Sequence, residues 1–302
     1  MSSRSFRHLA LVISISMAPV LSATSAHGFA CLKINGHCAR WTQGGAILHS
    51  FLGNPGVGLF NGTLSWDSNT VNAGNDWNAA GAAFHFTVEV GGSFINPCGP
   101  QGAGHACPNT GPVGDNPVFF ANNFCGQGFG DIIELTNNCA DRNSGAMLNA
   151  PVFVNSAPAN ASHDPNSIMG WNAYDGAIRV GSDNRVINDI HRVLVHELGH
   201  VLGLDHPDDN GQMVFAIMNS RESNIYQLQP DDISGLFSLY PNSNPPANSS
   251  GGNTGCQIAA RGAHANPANP WILLMPTVLL LLRPRRRSET GQSHQVDALR
   301  GH

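Results

Sequence analysis

Charged residues are scarce in this chain. They form 12% of its 302 residues, and the formal net charge is −5. Basic clusters occur only at the two ends, where they read as targeting signals, so nothing points to a nucleic-acid partner. Long apolar runs are also missing. Residues 9–21 and 271–282 are both shorter than the ~20 residues that a membrane-spanning helix needs. There is no internal repeat. No C-x-x-C pair occurs, which argues against a zinc ribbon. No complete calcium loop of the EF-hand type occurs either. In contrast, Gly (34) and Pro (19) are plentiful, and hydrophobic residues reach 41%. That balance predicts a loop-rich extracellular domain with a real core.

The two ends read as addresses. In residues 1–26, Arg4, Arg7 and His8 precede an apolar stretch and the small residues SATSA, as in a secretory signal peptide cleaved after Ala26. Seven cysteines fit an oxidising compartment. Six lie in the body of the chain, and neighbour pairing (31–38, 98–107, 125–139) is expected, because each bridge would close a short Gly/Asn-rich loop. The body spans residues 31–241. Residues 242–270 read as a polar, low-complexity disordered linker containing Cys256. Residues 271–287 are apolar and then Arg-rich, the positive-inside arrangement, and residues 288–302 read as a disordered tail. The segment 271–287 resembles C-terminal sorting signals of some Gram-negative bacteria, with Cys256 as a candidate processing or lipid-attachment position. Such tails usually stop at the arginines, and this one continues.

Within the body, residues 68–82 carry helical spacing, with Ser68 or Asn69 as cap. Residues 83–90 alternate as a strand does. NPVFFANN, DIIEL, MLNAPVFVN and GAIRVG are further strand candidates, and residues 40–53 could open with another. Helix, strands and a long helix together predict an α+β domain.

The long helix covers residues 188–204, NDIHRVLVHELGHVLGL, capped by Asn188 or Asp189. His196 and His200 are four apart, so one helical face carries both imidazoles. Glu197 lies one step round, better placed to hold a water than to bind metal. Gly203 can take positive φ and turn the chain, bringing His206 back as a third ligand. Three neutral nitrogens and an open fourth position describe a catalytic zinc rather than a structural one. A bare HExxH should arise by chance in about one chain in a hundred of this length, and requiring Gly203 and His206 lowers that by a factor on the order of a thousand. The competing reading is a helix whose polar face happens to be rich in histidine.

HELGHVLGLDH resembles the zinc signature of the metzincin metallopeptidases, in particular the matrixin branch. FAIMNS (215–220) resembles their methionine turn, with Met218 as a packing floor for the histidine rings. LQPDDISGLFSLYP (228–241) resembles the final matrixin helix, with Pro230 in its first turn and Asp231 and Asp232 at its positive end. The resemblance implies a metzincin-like zincin domain: a twisted mixed sheet, an active-site helix, and a C-terminal helix after the methionine turn. It implies a secreted or cell-surface zinc endopeptidase, bacterial and monomeric, that acts on protein or peptide substrates. Zn2+ would be held by His196, His200 and His206, with Glu197 as general base. An extended substrate would lie antiparallel to an edge strand, expected at residues 150–155, and the segment after Met218, including Tyr226, would wall the main pocket. Structural Ca2+ is common in the family, and GDNP, SHDPN and GSDN are permissive loops for it. Surface attachment would run through residues 271–287. Two features depart from the pattern. Pro207 follows the third histidine, where a small hydroxyl residue is usual, and no PRCGxPD-type inhibitory segment precedes the domain. The alternative from a different class is a non-catalytic, zinc-stabilised surface binding module, although stability alone needs no Glu197.

Overall fold

The computed structural model describes residues 28–98 and 116–242 and the backbone of a further strand, Asp297–Arg300. The segments read as signal peptide and sorting signal, almost all of the linker, Cys107 and Cys256 lie outside the described residues. Of the tail 288–302, only that strand is described.

A mixed sheet organises the domain. Its strands are β1 (Gly45–Ser50), β2 (His85–Val90), β3 (Asn116–Ala121), β4 (Ile132–Thr136), β5 (Val152–Asn155) and β6 (Asp297–Arg300). In space they run β6–β4–β5–β3–β1–β2. The pairs β1–β2, β1–β3 and β3–β5 are parallel, whereas β4 is antiparallel to β5 and β6 is antiparallel to β4. Parallel neighbours need a crossover, and α1 (Trp66–Ala79) supplies the one between β1 and β2. The remaining long elements are α2 (Ile190–Leu202) and α3 (Pro230–Leu239). An α+β domain is therefore what forms.

Helix α1 begins earlier than its periodicity suggests. Ser65, not Ser68 or Asn69, is the cap, and its Oγ accepts the Ser68 N–H at 3.0 Å. The extra turn exists because tertiary partners hold it. Trp66 is buried, and the Asp67 carboxylate accepts from Ser50 Oγ (2.6 Å) and from the N–H groups of Leu52 (2.9 Å) and Gly53 (3.1 Å). The core lies between the sheet and the two long helices. Ile190, Val193, Leu194, Leu198, Val201 and Leu202 of α2 are buried with Trp77, Val152, Val154 and Leu236. Each such aliphatic side chain stabilises the fold by about 1.5–3 kcal/mol relative to exposure.

Three expectations are corrected. Residues 150–155 are not an edge strand: β5 is hydrogen-bonded to β3 on one side and to β4 on the other. The strand next to the sheet's rim is β4, whose polar Glu134 and Thr136 do not mark an exposed edge because both are fully buried. Second, Cys31 does pair with Cys38, but Cys98 pairs with Cys125 rather than Cys107, and Cys125 not with Cys139. Cys139 is itself disulfide-bonded. Neighbour pairing failed because β3 and the chain after it bring Cys125 back to the end of the residue 91–98 loop. Third, residues 147–155 form two strands, Met147–Asn149 and β5, separated by Pro151, which has no N–H for a ladder.

Candidate metal centre

Asp189 caps α2, its carboxylate accepting the His191 N–H at 3.2 Å. From that start, His196 and His200 fall on one face. Gly203 ends the helix at φ 98°. A Cβ there would sit 2.0 Å from the Ala39 carbonyl oxygen, so only glycine allows the turn to pack so closely. The Ala39 loop is itself fixed. Leu32 N–H donates to the Gly203 carbonyl at 2.9 Å, the strand Ala30–Cys31 pairs with Leu204–Asp205, and the Cys31–Cys38 bridge closes the hairpin. This brace delivers His206 to the other two histidines.

The three Nε2 atoms lie 3.0, 3.0 and 3.1 Å apart. All three residues are buried. The Nδ1–H of His196 donates to the Ile217 carbonyl (2.7 Å), and that of His200 to the Leu204 carbonyl (2.9 Å). A carbonyl only accepts, so these contacts set the Nδ1–H tautomer and leave the Nε2 lone pairs inside the cluster. The His206 Nδ1 lies 3.2 Å from Asp209 Oδ2, which orients the third ring likewise. Burial, then the neighbouring His206, pushes the His196 pKa down to about 3 and that of His200 well below its usual value. Neutral rings are ligands rather than cations. Three lone pairs facing one another at this separation repel unless a cation lies among them. The spacing approaches the edge of a tetrahedron built on ~2.0–2.1 Å zinc–nitrogen bonds. The donor set therefore fits Zn2+, and it is the one group of three or more His, Cys, Asp or Glu side chains placed to hold a metal among the described residues.

Glu197 is fully buried beside this cluster, and its Oε2 accepts from Thr136 Oγ1 at 2.6 Å. The Glu197 carboxylate is thereby tied to β4. Glu134, two residues before Thr136, is also fully buried, and burial followed by the Glu197 charge raises its pKa well above the ordinary range. Sequence reading missed both residues, because DIIEL gives no sign of which face meets α2.

Met218 lies under the helix. A Cβ on Gly199 would meet its Sδ at 2.1 Å, so the glycine between the two helical histidines is what admits the methionine. Asp232 holds the methionine turn in place: its carboxylate accepts from the N–H of Ile217 (3.0 Å), Met218 (3.2 Å) and Gln229 (2.7 Å). Sequence reading put Asp232 only at the positive end of α3. Tyr226 is half-buried in the segment beyond the turn. The segment is anchored by Arg192, whose Nη1 donates to the Ser223 carbonyl at 2.9 Å.

The other polar residues serve the scaffold. The His191 Nε2 is 3.1 Å from Asp76 Oδ2 and links α2 to α1. The SHDPN and GSDN loops brace each other. Asp164 accepts from Ser182 N–H and Oγ, and Asp183 from Ser162 Oγ and His163 N–H. Part of GDNP lies outside the described residues.

Comparison with known proteins agrees with this geometry. Residues 150–241 match the matrixin family. The chain is 36% identical to human matrix metalloproteinase-16 over 69 residues, 22% of this chain and 11% of that protein. It is 48% identical to rabbit macrophage metalloelastase over 48 residues, 16% of this chain and 10% of that protein. It is 31% identical to human neutrophil collagenase over 90 residues, 30% of this chain and 19% of that protein. The chain thus spans between a tenth and a fifth of the length of these relatives.

Proposed function

We propose that this chain is a zinc-dependent endopeptidase that hydrolyses peptide bonds in extended protein or peptide substrates. The observation that carries the reading is the convergence of three buried Nε2 atoms within 3.1 Å, with the neighbouring Glu197 bonded to β4. His196, His200 and His206 would hold the ion. When bound, zinc lowers the pKa of a coordinated water towards neutrality and polarises a carbonyl. Glu197 accepts the water's proton and delivers it to the leaving amine. Thr136 Oγ1 donates to Glu197 Oε2 and so restrains the carboxylate against β4. An extended peptide would pair with the outer edge of β4, which β6 lines in the structure, rather than with β5, and backbone pairing of this kind reads the main chain rather than side chains. The segment after Met218, kept in place by Arg192, supplies a side-chain pocket wall with Tyr226.

The chain acts outside the cell, as a monomer, after export directed by residues 1–26. The Cys31–Cys38 and Cys98–Cys125 bridges support an oxidising compartment. The test is metal analysis of the secreted, oxidised protein together with a chelator-controlled peptide-cleavage assay. One zinc per chain and hydrolysis that Glu197→Ala lowers by about 10²–10⁴-fold are expected. Bound zinc with no cleavage by the parent would leave a binding module stabilised by its metal. Undiminished casein digestion by Glu197→Ala would remove the proposed mechanism.

A further inference from the structure

The outer rim of β4 already has an occupant. Strand β6 runs antiparallel along it, with Asp297 opposite Thr136, Ala298 opposite Leu135, Leu299 opposite Glu134 and Arg300 opposite Ile132. The register shifts between Leu299 and Arg300, which ends the regular pairing. The other side of β4 is taken by β5. A strand has only two edges, and each edge pairs with one partner at a time. The pairing also starts at Thr136, the residue whose hydroxyl holds Glu197. An added strand on this rim therefore lies beside the general base.

We infer that Asp297–Arg300 is an intramolecular strand ligand of the substrate rim, which a peptide substrate must displace. The inference rests on the peptidase reading for the word substrate, but the docking itself does not. Because the ligand belongs to the same chain, its occupancy does not depend on protein concentration. Because only four residues pair along β4, a longer strand can replace it. A longer peptide that makes the same backbone bonds and also fills a side-chain pocket displaces it. The signature is competitive: the segment raises KM and leaves kcat alone.

The test uses the intact chain, verified by mass through His302, and the double variant Ala298→Pro/Leu299→Pro. Two consecutive prolines remove whichever N–H faces β4. Hydrogen exchange is read on Ile132–Thr136, with Val152–Asn155 as internal control. Outward amides of β4 should exchange at least about tenfold faster in the variant while β5 is unchanged. The KM for a fluorogenic peptide should fall several-fold at constant kcat, and a fluorescent extended peptide should bind the variant more tightly by polarisation. Equal exchange in the two proteins overturns the docking, and equal peptide binding overturns the competition. Faster exchange and tighter binding with no cleavage by either protein would remove the peptidase reading and leave this inference standing.

Discussion

At its N-terminal end α2 buries Arg192; one turn further on it begins to bury His196 and His200. The two clusters meet the cost of polar burial in opposite ways. Arg192 brings its own cation. Its guanidinium lies 3.5 Å from both Asp189 and Glu222 and donates to the carbonyls of Ser223 (2.9 Å) and Gly176 (2.5 Å). The histidines bring no partner charge with them. Burial holds the His196 and His200 pKa values down, each Nδ1 of the three is held at an acceptor, and the Nε2 atoms face one another. One cluster holds its cation within the chain; the other is shaped for an ion from outside. On one helix, burial alone does not separate structure from site. What separates them is whether the chain itself supplies the cation that the buried acceptors face.

The comparison breaks most visibly at the histidines. His200→Ala should lower zinc content from about one per chain to near zero, abolish peptide cleavage, and make the melting temperature insensitive to chelator. Retained zinc would show that the cluster is not the centre described. A smaller but still large effect is expected at the other cluster. Arg192→Met leaves the Asp189 and Glu222 carboxylates buried without their cation and should cost about 3–5 kcal/mol in urea unfolding of the zinc-loaded protein. Zinc stoichiometry should not change. Adding Glu222→Leu to that variant should restore part of the loss, since it removes one stranded charge. If Arg192→Met costs nothing, the guanidinium is not the internal counter-ion.

The smallest effect is in pH dependence and sharpens the contrast. Burial raises the Glu222 pKa to about 7, and those of Asp189 and Asp232 to about 6. A carboxyl whose folded pKa is raised keeps its proton longer in the native state. Its stabilisation is therefore greatest below the unfolded value and is lost as pH rises through the folded one. The histidine cluster has the other sign. With the His196 pKa pushed down to about 3, the metal-free protein loses stability as pH falls from the ordinary histidine range towards that value. The metal-free chain should thus weaken on both sides of mildly acidic pH. Glu222→Gln should flatten only the upper arm, narrowing the loss between pH 5 and pH 8 by roughly 1–3 kcal/mol. A variant with an unchanged upper arm would exclude Glu222 as its source.

What the sequence determined by itself was local. The spacing of His196, His200 and His206, the cap at Asp189, the turn at Gly203 and the helix starting at Pro230 all follow from helical periodicity and backbone sterics, and these act within a dozen residues. Tertiary structure alone decided which strand lies next to the rim, since residues 132–136 and 152–155 are both largely buried and neither sequence names its neighbours. It also decided that Cys98 meets Cys125, that Asp232 holds the methionine turn, that Thr136 reaches Glu197, and that Asp297–Arg300 lies along β4. Each of these pairs residues distant in sequence, and no side chain carries the address of a partner that only the closed sheet brings near.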